Sequence, residues 1–281
     1  MRGPHPLGDA GPAAFLPRFT ARAAYAAAMP ARRRLVLRAG AAGLTVLLLA
    51  GCSSDERRSG EPVTEDDAAV LAELLHRNHE EGGADFVVSV PFAEDAVLTL
   101  TGEIDFRRAV GQAQAVTVVD GEDRDTRTLF FDRDALWSGD LPGLPEALAA
   151  DGDPTASYLR RPLPTGPGEA ELIDVVVRVL QNLSADAADD PGTFLDGPYR
   201  WHGQQQVDGQ SSSVYRLRDG RTVAVADSDE TLVQYRTPLP GGGPELTVTL
   251  ADHGTRRLAL PGEDETAAAA DHAEIAEAFE V

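Results

Sequence analysis

"DFVVSVPFAEDAVLTLTGEIDF", residues 85–106, contains two runs in which apolar and polar side chains alternate. In the first, Phe86, Val88, Val90 and Phe92 fall on one side. In the second, Leu98, Leu100, Ile104 and Phe106 face one way, and Thr99, Thr101, Glu103 and Asp105 the other. Period-two alternation of this length predicts antiparallel strands with one dry and one wet face. The next stretch, "QAQAVTVVDGEDRDTRTLFF" (112–131), reads as two more strands around a loop that opens at Asp120-Gly121.

Upstream, Thr64 is placed as an N-cap, with Glu65, Asp66 and Asp67 in the first turn, where the helix dipole favours acids. Val70, Leu71, Leu74 and Leu75 form a stripe and Gly82-Gly83 a stop, which predicts a helix over residues 65–81. Downstream, residues 141–168 are rich in Pro and Gly, with a short helix near 146–150. "EAELIDVVVRVLQNLS" (169–184) is read as helical, with apolar residues over more than half its circumference. Its Val175–Val177 run leaves a strand open as the alternative. Strands return in residues 199–239, where Asp208-Gly209 and Asp219-Gly220 supply turns, and in "ELTVTLADHG" (245–254). Residues 261–281 read as an acidic, Ala-rich tail, at most a weak helix presenting Ile275 and Phe279.

The single cysteine, Cys52, follows the apolar run Ala39–Ala50, which is too short to span a bilayer. Arg32, Arg33, Arg34 and Arg38 precede that run, giving the layout of a secretory signal. Leu49-Ala50-Gly51-Cys52 resembles the bacterial lipobox. That likeness implies cleavage between Gly51 and Cys52, lipidation of the Cys52 thiol, and a membrane-anchored protein on the extracytoplasmic face. Met29 is the better start, which makes residues 1–28 an extension. The general secretion route is favoured over the twin-arginine one, whose motif is incomplete here. Residues 52–64 read as lipidated cysteine and flexible tether; the 11 residues 53–63, fully extended, reach roughly 36–40 Å.

All 25 basic residues are Arg and 46 residues are acidic, a composition that points to a GC-rich, high-GC Gram-positive source. Without residues 1–51 the balance is 18 Arg against 45 acids. Bulk charge therefore argues against nucleic acid, and against anionic headgroups, as partners. With one cysteine there is no intramolecular disulfide, so the fold depends on its hydrophobic core.

The order helix, four strands, helical insertion, second set of strands, behind a lipobox, resembles the LolA/LolB-like superfamily. Within it, the likeness is greatest to the actinobacterial LppX/LprG branch. The resemblance covers residues 65–260. It rests on the strand pattern and on Tyr199-Arg200-Trp201, Val207-Asp208-Gly209 and Val214-Tyr215-Arg216. It implies an α+β fold: a curved antiparallel sheet, an incomplete barrel, with helices on its concave face. It also implies that a lipid, glycolipid or lipidated cargo, with a palmitate-length chain as the type case, occupies the space between them. The expected lining is Leu98, Leu100, Ile104, Phe106, Leu172, Val176, Leu180 and Trp201, in a monomer that needs no cofactor.

No nucleophile elbow, phosphate loop, dinucleotide fingerprint or zincin motif occurs in the sequence. His76, His79 and Glu80 share a helix end, but zinc needs further ligands, and a solvated helix end is the default. Ser211–Ser213 have no His that spacing places beside them. Arg216, Arg218, Arg221 and Arg236 either pair with carboxylates or hold an anionic headgroup, and the first is the default. The expected function is non-catalytic lipid binding or carriage. A sensor lipoprotein that docks onto an envelope protein, as in the RseB-type branch, is the alternative, with an extracytoplasmic hydrolase last.

Overall fold

The computed structural model describes residues 57–164, 170–239 and 244–281. The expectations for Met29, Gly51 and Cys52 lie outside the described residues. The described residues form one compact unit.

Helix α1 spans Glu65–Glu81, matching the sequence reading, and begins with a capping box between Thr64 and Asp67. Gly82 ends it in the left-handed region, at φ 97°. Gly83 follows because a Cβ there would stand 2.4 Å from the Ile104 carbonyl oxygen. Four antiparallel strands come next: β1 (Gly83–Ala93), β2 (Ala96–Asp105), β3 (Val110–Val119) and β4 (Glu122–Phe131). Strand β5 (Ala135–Gly139), helix α2 (Leu144–Ala150) and strand β6 (Tyr158–Pro162) lead to helices α3 (Leu172–Gln181) and α4 (Pro191–Leu195). The second meander is β7 (Arg200–Val207), β8 (Gln210–Arg216), β9 (Thr222–Ala226), β10 (Leu232–Pro238) and β11 (Glu245–Ala251). A short strand β12 (Thr266–Ala268) and helix α5 (Ala273–Ala278) complete the described chain.

All twelve strands join one sheet in the order β12-β6-β5-β4-β3-β2-β1-β11-β10-β9-β8-β7, with β7 and β12 at its open ends. Every pairing is antiparallel except β12 on β6. This is the α+β incomplete barrel expected. The dry faces predicted for β1 and β2 hold for Phe86, Val88, Val90, Leu98, Leu100 and Ile104, which all belong to the main core. They fail for Phe92, exposed where the register shifts between Pro91 and Ala93, and for Asp105, buried where it accepts from the Arg107 and Arg108 amides.

Helix α3 shows why its β-branched run is helical. Val176, Val177 and Leu180 are fully buried and lie on one side, and Glu171 with Asp174 closes a capping box at its start. Burial of that stripe outweighs the modest helix penalty of Val. The inward positions of β3 are small (Gly111, Ala113, Ala115), and the Phe131 ring lies where a Cβ on Gly111 would be. Phe131, Leu129, Leu100 and Ile104 share one core with Val176, Val177 and Leu180 of α3.

Two segments differ from the sequence reading. Residues 57–63, read as tether, are docked: Val63 is buried, and the amide of Gly60 donates to the Trp201 carbonyl at 2.8 Å. The Trp201 amide in turn donates to Glu61 O at 2.9 Å, so the segment covers the first residues of edge strand β7. Residues 261–281, read as a tail, supply β12 and α5. Ala267, Ala269 and Ala276 build a second core with Leu141, Leu144, Leu148 and Leu159, and Ile275 and Phe279 pack against it.

His272 latches that second core. Its Nδ1 lies 2.7 Å from Asp151 and its Nε2 2.8 Å from Asp153, and the ring is buried. Hydrogen bonds to Asp151 and then Asp153 hold the imidazolium and raise its pKa against a smaller burial effect. The stabilisation is complete below the ordinary histidine value of about 6.5 and is lost as pH rises through the raised pKa. The melting temperature of the protein is expected to fall over that alkaline window. In His272→Gln that part of the pH dependence is expected to be flat in thermal scans.

Candidate functional site

An apolar cavity of about 340 Å³ opens between α1, the C-terminal end of α3, α4 and strands β9–β10. Helix α1 contributes Leu71, Leu74 and Leu75; α3 and the turn after it contribute Val179 and Leu183; the sheet contributes Val223, Leu232 and Tyr235. Phe194 and Tyr199 close one wall, their ring centroids 4.9 Å apart. Arg218 and Arg221 also line the space, from the β8–β9 turn. The volume lies within the range of small-molecule sites, and the lining follows their pattern of apolar wall and few polar groups.

The sheet is irregular between Trp201 and Gly203 and again between Leu232 and Gln234, and such bulges increase local twist. Helix α1 meets the sheet at β10 and packs against α4, and the cavity lies beside those two contacts. The roof is held independently of the floor. Asn78, fully buried, donates from Nδ2 to Leu183 O at 2.6 Å, and the amides of Ala185 and Asp189 donate to Leu75 O and Ala72 O.

At the entry of α1, Asp67 gathers a polar cluster beside this cavity. Tyr215 Oη donates to its Oδ1 at 2.9 Å, Arg57 Nη1 at 3.0 Å, and the Thr64 amide to Oδ2 at 2.7 Å. Burial alone would raise the Asp67 pKa, but the bonds from Arg57, Thr64 and Tyr215 outweigh it and hold the value at about 2. The Tyr215 hydroxyl is pushed well up, first by burial and then by its bond to Asp67. The Arg57 guanidinium also stacks 4.9 Å from the Trp201 ring centroid.

The predicted lining residues distribute differently. Leu100, Ile104, Val176 and Leu180 are fully buried in the packed layer under α3. Leu98 and Leu172 line a second space of about 700 Å³, on the other side of α3. More charged side chains line that space, with Arg124, Asp125, Arg127, Arg161, Glu171 and Glu280 on its walls beside Phe92, Leu136 and Ile173. Arg161 is tied to Asp174 at 2.8 Å and Arg127 to Asp125 at 2.6 Å. Phe106 lines a third, polar space, and Trp201 sits half-buried beneath Arg57. None of the residues expected to line a cavity lines the apolar one. Its parts come from separate segments: the stripe of α1, the surplus apolar face of α3 and the pair Arg218 and Arg221 each gave a signal, but nothing in the sequence brought them together.

The other candidates are structural. His76 and His79 stack at 6.4 Å, and they contact Ala185 O at 3.3 Å and Ser184 Oγ at 3.5 Å. Ser211 and Ser213 both donate to Asp227, and His202 contacts Ser59. Among the described residues no group of three or more His, Cys, Asp or Glu side chains is placed to hold a metal ion. Also among them, no helix is long and apolar enough to cross a membrane.

No family model and no curated protein matches the sequence. Similar solved structures include an uncharacterised conserved protein from Thermus thermophilus, at 8% identity and TM-score 0.35, covering 72% of this chain and 98% of that one. The MucA/MucB complex of Pseudomonas aeruginosa is matched at 11% identity and TM-score 0.29, over 71% of this chain and 59% of that one. A putative outer membrane lipoprotein-sorting protein domain from Vibrio parahaemolyticus is matched at 10% identity and TM-score 0.25, over 66% and 92%. Likenesses this distant carry no functional argument.

Proposed function

We propose that this protein is an extracytoplasmic lipoprotein, anchored through Cys52, that binds the acyl chain of a lipid or lipidated molecule without catalysing a reaction. The observation that carries the reading is the apolar cavity of about 340 Å³ under α1 and α4, with Arg218 and Arg221 at its wall. An acyl chain suits it because burial yields about 0.8 kcal/mol per CH₂, offset by the cost of ordering the chain. The arginines suit the polar end of such a ligand, since guanidinium groups bind carboxylates and phosphates with paired hydrogen bonds. The lipobox supplies the reason for a site of this kind: an anchored domain samples lipid continuously.

Val179 gives the test. It is half-buried on α3 and faces the cavity, so Val179→Trp fills empty space rather than displacing core. Mass spectrometry of lipids extracted from protein starting at Ser53 and made in an actinobacterial host should find bound lipid in the parent. The tryptophan variant should lose it, with a melting temperature within about 5 °C of the parent. Absence of lipid from the parent, or undiminished lipid in the variant, counts against the site.

A second reading has one observation in its favour. Beyond the docked 60–62 segment, β7 is the last strand of the sheet, and its residues 203–207 have an outer edge with no strand partner among the described residues. Such an edge can accept a strand from a protein partner.

A further inference from the structure

The arginines are not spread evenly over this acidic protein. Arg200 of β7 lies directly opposite Arg216 of β8, Arg216 pairs with Thr222 of β9, and Thr222 pairs with Arg236 of β10. Three arginines thus stand in one row at one end of the sheet, on the face opposite the helices. Arg218 and Arg221 follow in the β8–β9 turn, and Arg57 and Arg58 lie on the segment that meets the start of β7. Of the eleven other described arginines six are in ion pairs, such as Arg77 with Glu230 and Arg256 with Asp85, and the other five are scattered over separate elements. At this end Arg57 pairs with Asp67, Arg221 with Asp219 and Arg236 with Glu245. Arg58, Arg200, Arg216 and Arg218 have no carboxylate partner among the described residues. Arg200 bonds only the Tyr199 carbonyl, and Arg218 lies over the Tyr199 ring at 5.5 Å. Like charges directly opposite across two strands are destabilising, so the fold carries an unfavourable contact here.

We infer that this end of the sheet is a docking surface for a bilayer rich in anionic phospholipid, an inference that rests on the reading of the chain as membrane-anchored. Two features support that partner. The charge is complementary: four unneutralised guanidinium groups cluster at this end, and phosphate oxygens would relieve the Arg200–Arg216 repulsion. The place is also right. The described chain begins here, at Arg57, five residues after Cys52, and five extended residues reach roughly 17 Å. A domain tethered that closely must present its N-terminal end to the bilayer, and the arginines occupy that end. The carboxylates nearby are Glu61 on the edge segment, Glu65 and Asp66 in the first turn of α1, Asp196 at the end of α4, and the paired Asp67, Asp219 and Glu245. The remaining acids are spread over the rest of the domain, and beyond a Debye length of about 8 Å their repulsion is screened. The bulk charge that argues against anionic headgroups therefore does not describe this surface.

Flotation of unlipidated protein starting at Ser53 on vesicles of phosphatidylcholine, with and without phosphatidylglycerol, tests the surface apart from the anchor. Binding is expected only to the anionic vesicles and is expected to fall steeply with added salt. Arg58→Gln, Arg200→Gln and Arg216→Gln together are expected to weaken it about a hundredfold, each arginine contributing about fivefold. Arg133→Gln with Arg257→Gln, exposed arginines away from this end, is expected to leave it unchanged. Equal binding to both vesicle types, or a triple variant that binds like the parent, overturns the inference. Lipid extracted from the same samples reads the cavity separately. A triple variant that loses vesicle binding but keeps its lipid separates the two sites. Vesicle binding by a parent that carries no lipid leaves the surface standing and removes the cargo reading.

Discussion

Asp67→Ala should cost about 3–5 kcal/mol of folding stability at neutral pH, the range seen when one partner of a buried ion pair is removed. The carboxylate is 10% exposed and receives Arg57, Tyr215 and the Thr64 amide, so truncation leaves a buried hydroxyl and the helix start without an acceptor. Tyr215→Phe removes only one neutral donor and should cost about 1–1.5 kcal/mol. The pH dependence separates this effect from simple loss of packing. A carboxyl held at about 2 against an ordinary 3.8 stabilises the fold above the ordinary value and loses that contribution as pH falls through about 2. The parent should therefore shed about 2 kcal/mol between those values in acid unfolding, and Asp67→Ala should not.

Leu180→Ala is the other large effect, at about 3 kcal/mol. Leu180 is fully buried between α3 and the sheet, where removal of a side chain leaves a void that the surroundings fill only in part. Urea unfolding should show a lower midpoint with an unchanged slope. The contrast with the residue before it carries the structural point. Val179, one position along the same helix, faces open space and should accept even Trp with little loss. If both substitutions unfold the domain, α3 is core on every side and the cavity is not accessible to a ligand.

That contrast also shows what the sequence could convey. Helix α1 was legible to the residue because a cap, an acidic first turn, an apolar stripe and a double glycine all agree. Strands β1–β4 were legible because their alternation is clean. The surplus apolar surface of α3 was legible as well, but not what it meets. Val176, Val177 and Leu180 are fully buried, Val179 and Leu183 face the smaller cavity, and Leu172 and Ile173 face the larger one with charged walls. Which side is open depends on what distant segments set against each side, α1, α4 and Tyr199 on one and the arginines of β4 and β6 on the other, and no single segment carries that. Strand β12 and the second core were missed because Ala267, Ala269 and Ala276 carry little hydrophobic signal. Alanines in an acidic stretch look like a tail until the leucines of α2 are placed beside them.

The arginine row was half legible. Arg216, Arg218, Arg221 and Arg236 stand out in an acidic chain, but their default partners, carboxylates, hold only for Arg221 and Arg236. Pairing Arg200 with Arg216 requires the β7–β8 register, which the bulge at Trp201–Gly203 shifts.

The central claim is where the acyl chain lies, and a crystal of the protein grown with a terminally brominated palmitate would locate it by anomalous scattering from the bromine. The account predicts a single bromine peak among Leu71, Leu74, Leu183, Val223 and Leu232, with the carboxylate towards Arg218 and Arg221. A peak beside Leu98 and Leu172, or no ordered bromine while the apolar cavity remains empty, would contradict it.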